Sequence, residues 1–157
     1  MSMAKSYDEQ ETAALLPYPE LVETLSTTVV EYAAGGIKSP ERLVVPLQAG
    51  GVMLSMPASA ADIAIHKLVN VCPGNRARGM PTIHGQVTAY DSTNGQMLFA
   101  LDGPTVTGRR TAAISALGIR CLARSVNSIL LIGTGKQASN HAEACANNVS
   151  MACRRQN

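Results

Sequence analysis

The feature that most constrains the fold is a short apolar run followed at once by glycines and an alanine-rich stretch. The run, residues 129–132, is continuously apolar rather than alternating, which is typical of a parallel strand covered on both faces. The turn after it, residues 133–138, reads GTGKQA. An apolar strand, a tight glycine turn and a helix in this order predict the opening unit of an α/β fold.

The glycine turn matches the GxGxxA pattern of dinucleotide-binding folds. Gly133 permits the tight turn, Gly135 lets a pyrophosphate approach the backbone, and the small Ala138 lets the helix pack closely on the strand. A P-loop is excluded, because Gln137 follows Lys136 where a P-loop carries Ser or Thr. An ordinary strand-turn-helix remains an alternative, and Lys136 is either a phosphate neighbour or a solvated surface side chain.

Periodicity predicts two helices and a set of strands ahead of this turn. The first helix, over residues 19–34, carries apolar side chains at helical spacing: Leu21, Val22, Leu25, Val29 and Tyr32. Short segments rich in Val, Ile, Leu and Met then predict strands over 42–47, 51–56, 62–71, 84–91 and 96–101. The second helix, over residues 104–123, has an apolar stripe of Val106, Ala113, Ile114, Leu117 and Cys121.

These patterns together predict an α/β protein with two parts. Residues 1–123 form a mixed-sheet domain, in which the tight Asn94-Gly95 turn indicates that neighbouring strands are antiparallel, and they include the connecting helix 104–123. Residues 124–157 form the first strand-turn-helix of a Rossmann domain. The composition, with 46% hydrophobic and 15% charged residues, is typical of a globular chain.

Charge and cysteine usage exclude several classes of partner. The formal net charge is +2 and the 13 basic residues are spread along the chain, so no nucleic-acid partner is expected. Apolar runs stay far below the roughly 18 residues of a membrane span, so we expect a cytoplasmic protein without a membrane partner. No metal site or disulfide framework is expected, because CxxC pairs are lacking, and reduced packing thiols are expected at Cys72, Cys121, Cys145 and Cys153.

Lys67 is a cation in an apolar row. Strand alternation over residues 62–71 places it on one face with Ile63, Ile65 and Val69. Burying an unpaired charge costs several kcal/mol, so a carboxylate of the protein or of a ligand has to meet it. The alternative is a lysine whose stem lies on the sheet while its amine reaches water. The residues alone leave both interpretations open.

Two arginines raise the same question. Helical spacing places Arg110 on the stripe that faces the fold, whereas Arg109 is better placed to be solvated. A guanidinium can hold a carboxylate through two parallel hydrogen bonds, which suits a small acid substrate. Arg42 opens the first strand and is either a second clamp or, as its position alone favours, a strand-edge charge.

The histidines do not assemble into a catalytic triad. We interpret His66, on the other face of the strand that carries Lys67, as a core or interface residue. His84 lies beside a glycine and near a proline, where it could line the lip of a pocket. His141 is expected on the surface of the final helix. A Ser-His-Asp arrangement or a nucleophile elbow cannot be built from these positions.

Beyond these patterns, the chain resembles a known family. The segments SPERLVVPL, MLSMPA, HKLVNVCPGN, MPTIHGQ, DGPTVTGRRTAA and ILLIGTGKQA resemble, in order and spacing, the ornithine cyclodeaminase/mu-crystallin family over about residues 15–144. The most specific blocks are HKLVNVCPGN, RRTAA and GTGKQA. MPTIHGQ and DGPTVTGRRTAA look most like the bacterial ketimine reductases of that family, which act on Δ1-pyrroline-2-carboxylate and Δ1-piperideine-2-carboxylate.

The resemblance implies a reaction, a cofactor and a set of site residues. The reaction is transfer of a hydride from NADPH or NADH to the C=N carbon of a cyclic imino acid, giving L-proline or L-pipecolate. Arg42, Lys67 and Arg110 hold the substrate carboxylate, with Lys67 and Arg110 as the catalytic pair. Thr82 and His84 lie near the pocket. The residues implied to bind the cofactor are Thr111, Gly133, Thr134, Gly135, Lys136, Gln137 and Ala138.

The resemblance further implies a homodimer formed by the N-terminal substrate domain. Its limit is the sequence CANNVSMACRRQN at the end, which does not predict a second Rossmann strand, and the catalytic Asp of the family has no counterpart. We therefore expect a truncated, inactive form, whether natural, engineered or frameshifted near Cys145, whose apolar strand promotes self-association. The alternatives are an ornithine cyclodeaminase, which converts ornithine to proline and ammonia, an alanine dehydrogenase, or a non-catalytic ligand-binding or dimerisation fragment.

Overall fold

The computed structural model describes residues 4–152, and their side chains as far as residue 147. Within these residues the elements are β1 (Lys5–Ser6), α1 (Glu9–Ala14), α2 (Tyr18–Ala33), β2 (Leu43–Pro46), β3 (Val52–Ser59), β4 (Ile63–Val71), β5 (Ile83–Asp91), β6 (Met97–Asp102), α3 (Gly103–Leu122) and α4 (Lys136–Ala152). Short 3-10 helices, Gln48–Gly50 and Pro73–Arg78, precede β3 and β5. Cys153, one of the four predicted packing thiols, lies outside the described residues.

The strands form a six-stranded mixed sheet in the order β1-β6-β5-β4-β3-β2. Strands β2 to β6 pair with one another in antiparallel fashion, and β1 pairs with β6 in parallel. In the turn between β5 and β6, Gly95 has a φ of +75°, and the N–H of Asp91 donates to the carbonyl of Gln96 at 2.9 Å. The α/β class, the mixed sheet and the strands predicted from residues 42–101 are confirmed. The two-residue strand β1 is too short to show an alternating pattern.

The first of two compact units comprises Met1–Thr12 and Glu31–Val106, and it contains the sheet. Its buried apolar side chains come from the central strands: Val69, Val87, Ala89 and Ala100. The buried hydroxyl of Thr12 donates to the carbonyl of Tyr7 (3.3 Å) and accepts from the N–H of Asp102 (3.0 Å). This hydroxyl therefore ties the N-terminal segment to the end of β6.

The second unit comprises Ala13–Val30 and Thr107–Asn157. Its core consists of side chains from α2, α3 and α4: Tyr18, Val22, Ala112, Ala113, Ala116, Leu117 and Ala144. The many alanines let the helix axes approach closely, since close packing between helices depends on small side chains where backbones meet. The domain boundary predicted between residues 123 and 124 stays a prediction.

The apolar stripe predicted on α3 is confirmed at two positions and wrong at two others. Ala113 and Leu117 are buried, as expected, but Ile114 is 38% exposed and Cys121 is also exposed. Ala112 and Ala116 take their place in the core. The reason is steric: α2 and α4 pack on α3 along its alanines, so the contact surface follows small side chains rather than the most hydrophobic ones.

The segment predicted as a parallel strand, residues 129–132, is not a strand in this structure. Its side chains are exposed, with Leu130 at 83% and Ile132 at 91%. A strand requires a neighbour to receive its N–H and C=O groups, and no strand within residues 4–152 pairs with this segment. The helix predicted after the glycine turn is present as α4. Among the described helices, none is long and apolar enough to cross a membrane.

Candidate functional site

Lys67 occupies the middle of β4, on the face that alternation predicts. It lies opposite Met56 on β3 and Val87 on β5, and it shares its face with Val69. Val69 and Val87 are buried, and Lys67 itself is half-buried. The sheet therefore surrounds the lysine stem with apolar side chains on both neighbouring strands, which is the placement expected from the sequence.

Arg42 lies level with Lys67 across the sheet. The pairing of Leu43 with Ser55 places the preceding residue, Arg42, next to Met56, and Met56 in turn pairs with Lys67. Two strand spacings separate the backbone positions of Arg42 and Lys67 by roughly 10 Å. Both side chains are long enough to reach a small anion lying between them. Arg42 is exposed, and its role as a second clamp stays a prediction.

Thr82 and His84 are not brought onto the face of Lys67. His84 pairs with Asn70, and alternation directs both side chains to the opposite face. Thr82 lies in the bend before β5, where its carbonyl accepts from the N–H of Cys72 at 2.8 Å. The amide of Asn75 donates to the carbonyl of Pro81 at 2.9 Å, and it lies 3.5 Å from Nε2 of His84. A role for these two residues in substrate binding stays a prediction.

Asn70 was not identified by sequence reasoning, although its position is unusual. Its Oδ1 is buried and has no hydrogen-bond partner among the described residues. Most buried polar atoms in proteins are hydrogen-bonded, so such an acceptor is notable beside the pocket-lip candidate His84. The signal available in the sequence was a polar residue inside the apolar segment LVNV.

The two adjacent arginines of α3 have exchanged their predicted environments. Arg109, expected to be solvated, has a side chain only 12% exposed, and its guanidinium lies 4.1 Å from the centre of the Tyr18 ring. Its Nε donates to the carbonyl of Leu16 (2.8 Å), and it forms an ion pair with Glu143 (3.2 Å). Arg110, expected to face the fold, is exposed. Exposure leaves Arg110 accessible to a carboxylate, so its predicted role is not contradicted.

Tyr18 is the buried partner of this arginine. Its hydroxyl donates to Oδ1 of Asn140 at 2.9 Å. Burial raises the pKa of Tyr18, the Arg109 guanidinium opposes that rise, and the Glu143 carboxylate adds to it. The phenol therefore stays protonated near neutral pH and keeps its role as a donor.

Thr111, a predicted cofactor residue, lies one turn beyond Gly108 on α3. Its hydroxyl donates to the carbonyl of Thr107 at 2.7 Å, and it is half-buried. One turn further, the hydroxyl of Ser115 lies 3.0 Å from Nε2 of His141 on α4. The prediction that His141 is a surface residue is wrong, because this bond and half-burial place it between two helices.

The glycine turn has the form that a pyrophosphate site needs. Gly133 has a φ of +118°, in the left-handed region that favours glycine. A Cβ added to Gly133 or Gly135 would meet no atom within 4 Å, so the backbone is open to a close approach. The helix α4 begins at Lys136, so the N–H groups of its first turn lie at the end of the helix that follows the glycine turn. The residues present therefore fit a dinucleotide phosphate.

The remaining groups considered from the sequence are His66 and the cysteines. Nε2 of His66 lies 2.8 Å from the hydroxyl of Ser55, within the sheet. Cys72, Cys121 and Cys145 form no disulfide, and burial raises the pKa of the Cys145 thiol. Among residues 4–152, no three His, Cys, Asp or Glu side chains gather in a way that could hold a metal ion.

Comparison with known proteins reveals extensive similarity. A model of the ornithine cyclodeaminase/mu-crystallin family matches residues 3–154. The chain is 72% identical over 141 residues to a Δ1-pyrroline-2-carboxylate/Δ1-piperideine-2-carboxylate reductase of Azospirillum brasilense, covering 89% of the chain and 45% of that relative. The chain spans about half the length of the curated relatives it matches, between 45% and 47% for the first three.

Two solved structures share the fold. The Δ1-pyrroline-2-carboxylate reductase of Thermococcus litoralis, in complex with NADH and L-proline, superposes with a TM-score of 0.84 at 25% identity, over 92% of this chain and 45% of that one. An archaeal alanine dehydrogenase dimer with bound NAD superposes with a TM-score of 0.83 at 27% identity, with the same coverage of 92% and 45%.

Proposed function

The chain belongs to the ornithine cyclodeaminase/mu-crystallin family, and from that premise we propose that it serves the NAD(P)H-dependent reduction of cyclic imino acids. The substrates proposed are Δ1-pyrroline-2-carboxylate, reduced to L-proline, and Δ1-piperideine-2-carboxylate, reduced to L-pipecolate. The name of the Azospirillum relative, which includes both imines, supports this choice of substrates. The Thermococcus structure, which holds L-proline and NADH, supports the product and the cofactor.

The observation that carries the proposal is the position of Lys67 in the middle of the sheet, opposite Met56 and Val87, with Arg42 directly before the edge strand β2. An anion with a single carboxylate and an otherwise apolar ring matches this surface, because its charge meets the cations while its carbons meet Val69 and Val87. Both proposed imines have that composition.

The proposed roles follow from the charge of each residue. Lys67 and Arg42 of the sheet are proposed to bind the substrate carboxylate, and a contact with a carboxylate is likewise proposed for Arg110 of α3. Lys67 and Arg110 are proposed as catalytic residues because the positive charge they supply acts on the reacting molecule directly. Thr82 and His84 are proposed near the pocket.

The cofactor proposed is NADPH or NADH, held by Thr111 and by the turn Gly133, Thr134, Gly135, Lys136, Gln137 and Ala138. When bound, it supplies the hydride that reduces the C=N carbon of a protonated imine, whose nitrogen keeps its proton and becomes an amine. The open backbone at Gly133 and Gly135 would let a pyrophosphate approach, and N–H groups in the first turn of α4 would donate hydrogen bonds to it. Lys136 adds a cation beside that position.

The experiment that tests the proposal measures oxidation of NADPH and NADH with each imine, and ammonia release from ornithine, on the purified chain. Imine-dependent oxidation supports the proposal, and ammonia release from ornithine favours a cyclodeaminase. If neither nucleotide is oxidised but L-proline or the nucleotide binds, the ligand-binding alternative is supported. Lys67→Gln should weaken L-proline binding roughly tenfold or more, since a charged hydrogen bond is lost. Arg124→Gln removes one exposed positive charge elsewhere and should leave binding unchanged.

We also propose a cytoplasmic homodimer. The archaeal alanine dehydrogenase, itself solved as a dimer, supports the assembly. The sheet ends at β2, whose Leu43 and Val44 are 63% and 52% exposed, so an apolar edge is accessible to a second copy. Sedimentation velocity of the chain tests this assembly, and a monomer at every concentration would contradict it. Fractionation of the source cells tests the location.

A further inference from the structure

We propose that Tyr18 and Asn140 are positioning residues that hold the dinucleotide-binding turn in place at the start of α4. The proposal rests on the function proposed above, because it assigns a role within the same nucleotide site. Its basis is the 2.9 Å hydrogen bond between two side chains 122 positions apart in the chain. Neither residue belongs to the set that family resemblance implicates.

Asn140 is the link between Tyr18 and the first turn of α4. Its Oδ1 accepts from the Tyr18 hydroxyl, and its Nδ2 donates to the carbonyl of Lys136 at 2.7 Å. Lys136 is the first residue of α4 and directly follows Gly135 of the turn. The side-chain amide therefore uses both of its ends, and any rotation of it breaks one of the two bonds.

Tyr18 is itself held rigidly. It is 1% exposed, and the Arg109 guanidinium covers its ring at 4.1 Å. Arg109 is in turn fixed by the carbonyl of Leu16 and by Glu143 of α4. The helix α4 is thus attached at Asn140 and again one turn later at Glu143, and both attachments lead to the same buried tyrosine and arginine.

The attachment also sets how closely α4 approaches α3. A Cβ added to Gly108 of α3 would lie 2.8 Å from Nδ2 of Asn140, so the amide lies directly against the backbone of α3. The next turn of α3 carries Thr111, a proposed cofactor residue. The position of Asn140 therefore affects both proposed cofactor-binding elements, Thr111 and the turn before α4. Preorganised binding groups lower the cost of binding, so a loosened Asn140 should weaken nucleotide affinity.

The test compares nucleotide binding by four variants with binding by the wild-type chain. NADPH and NADH are titrated by fluorescence against Tyr18→Phe, Asn140→Ala, the double variant and Tyr32→Phe. Tyr32 lies on the same helix as Tyr18 but is 57% exposed, so it is the matched control. Each titration is made well below the unfolding temperature of the variant. Hydrogen exchange of the amides at residues 136–140 is measured in parallel.

We expect Tyr18→Phe and Asn140→Ala each to weaken nucleotide binding roughly two- to tenfold and to speed exchange at residues 136–140. The double variant should bind nucleotide no more weakly than the single variant with the lower affinity, because both changes break the same link. The affinity for L-proline should be unchanged in every variant. The Tyr32→Phe variant should bind nucleotide as tightly as the wild-type chain does. Asn140→Ala keeps the buried ring, so it carries the test alone if Tyr18→Phe fails to fold.

Two outcomes would overturn the inference while leaving the proposed function intact. One is a folded Tyr18→Phe that binds nucleotide as the wild type does, and the other is a double variant whose losses simply add. A wild-type chain that binds neither NADPH nor NADH would contradict nucleotide binding itself, and with it both the proposed function and this role of Tyr18.

Discussion

Gly103, the first residue of α3, lies so close to Gly85 of β5 that a Cβ on Gly103 would be 2.6 Å from the carbonyl carbon of Gly85. In the other direction, a Cβ on Gly85 would be 2.1 Å from the carbonyl oxygen of Leu68. Two glycines thus let the start of a helix and the middle of a sheet make backbone contact. Asp102, the residue directly before Gly103, caps the helix by accepting a hydrogen bond from the N–H of Thr105 at 2.8 Å.

Gly103→Ala should lower the free energy of unfolding by about 1 to 3 kcal/mol, because the backbone atoms it meets cannot move aside. Gly85→Ala should cost more, since its φ of +152° adds backbone strain. Urea denaturation measures both. Gly118→Ala on the same helix is the control, because no atom lies within 4 Å of its added Cβ, and there we expect a gain of about 0.5 to 1 kcal/mol. Equal losses at Gly103 and Gly118 would contradict the packing argument.

The adjacent arginines should respond in opposite ways to truncation. Arg109→Ala should lower the free energy of unfolding by about 2 to 4 kcal/mol, because the contact with Tyr18 and the charged bond to the Leu16 carbonyl are lost. Arg110→Ala should change stability by less than about 0.5 kcal/mol, since Arg110 is exposed, but should weaken L-proline binding. Urea unfolding and ligand titration separate the two effects. An Arg109→Ala variant with the same free energy of unfolding as the wild-type chain would contradict this interpretation.

Asp91 should make the turn after β5 sensitive to acid. The hydroxyl and then the N–H of Thr93 donate to its carboxylate and lower the pKa of Asp91. A folded-state pKa below that of the unfolded chain contributes stability above the ordinary carboxyl range, and this contribution is lost as the pH falls through the folded value. Asp91→Asn should therefore flatten the loss of stability as the pH falls through and below the ordinary carboxyl range. Glu41→Gln, an exposed carboxylate outside the turn, should leave that slope unchanged.

The exposed segment at residues 129–132 should promote association between copies of the chain. Leu130 and Ile132 are 83% and 91% exposed, and burying either would be favourable by about 1.5 to 3 kcal/mol. Leu130→Lys should therefore weaken self-association about tenfold or more in sedimentation equilibrium. Ser128→Lys adds the same charge beside it without removing an apolar group. If both variants associate equally weakly, charge repulsion rather than apolar burial is the cause.

The secondary structure could be predicted because it depends on short-range periodicity. The strands β2 to β6 and the helices α2 and α3 begin and end within a few residues of the predicted segments. Alternation and helical spacing are patterns of residues that are close together in the sequence. Lys67 was placed correctly for the same reason. The glycine turn and the helix after it were also expected from local signals. These elements, and the family resemblance, follow from residues that are close together in the chain.

The tertiary structure alone decided which faces were buried and which residues met. Helical spacing could not tell which of Arg109 and Arg110 is packed, because that depends on Tyr18 and Glu143, which lie far away in sequence. It could not show that residues 129–132 pair with no strand among the described residues, since pairing needs a second segment. The alignment of Arg42 with Lys67 likewise arises from the register of three strands. Sequence determines local conformation through nearby residues, whereas burial and site geometry come from contacts between distant ones.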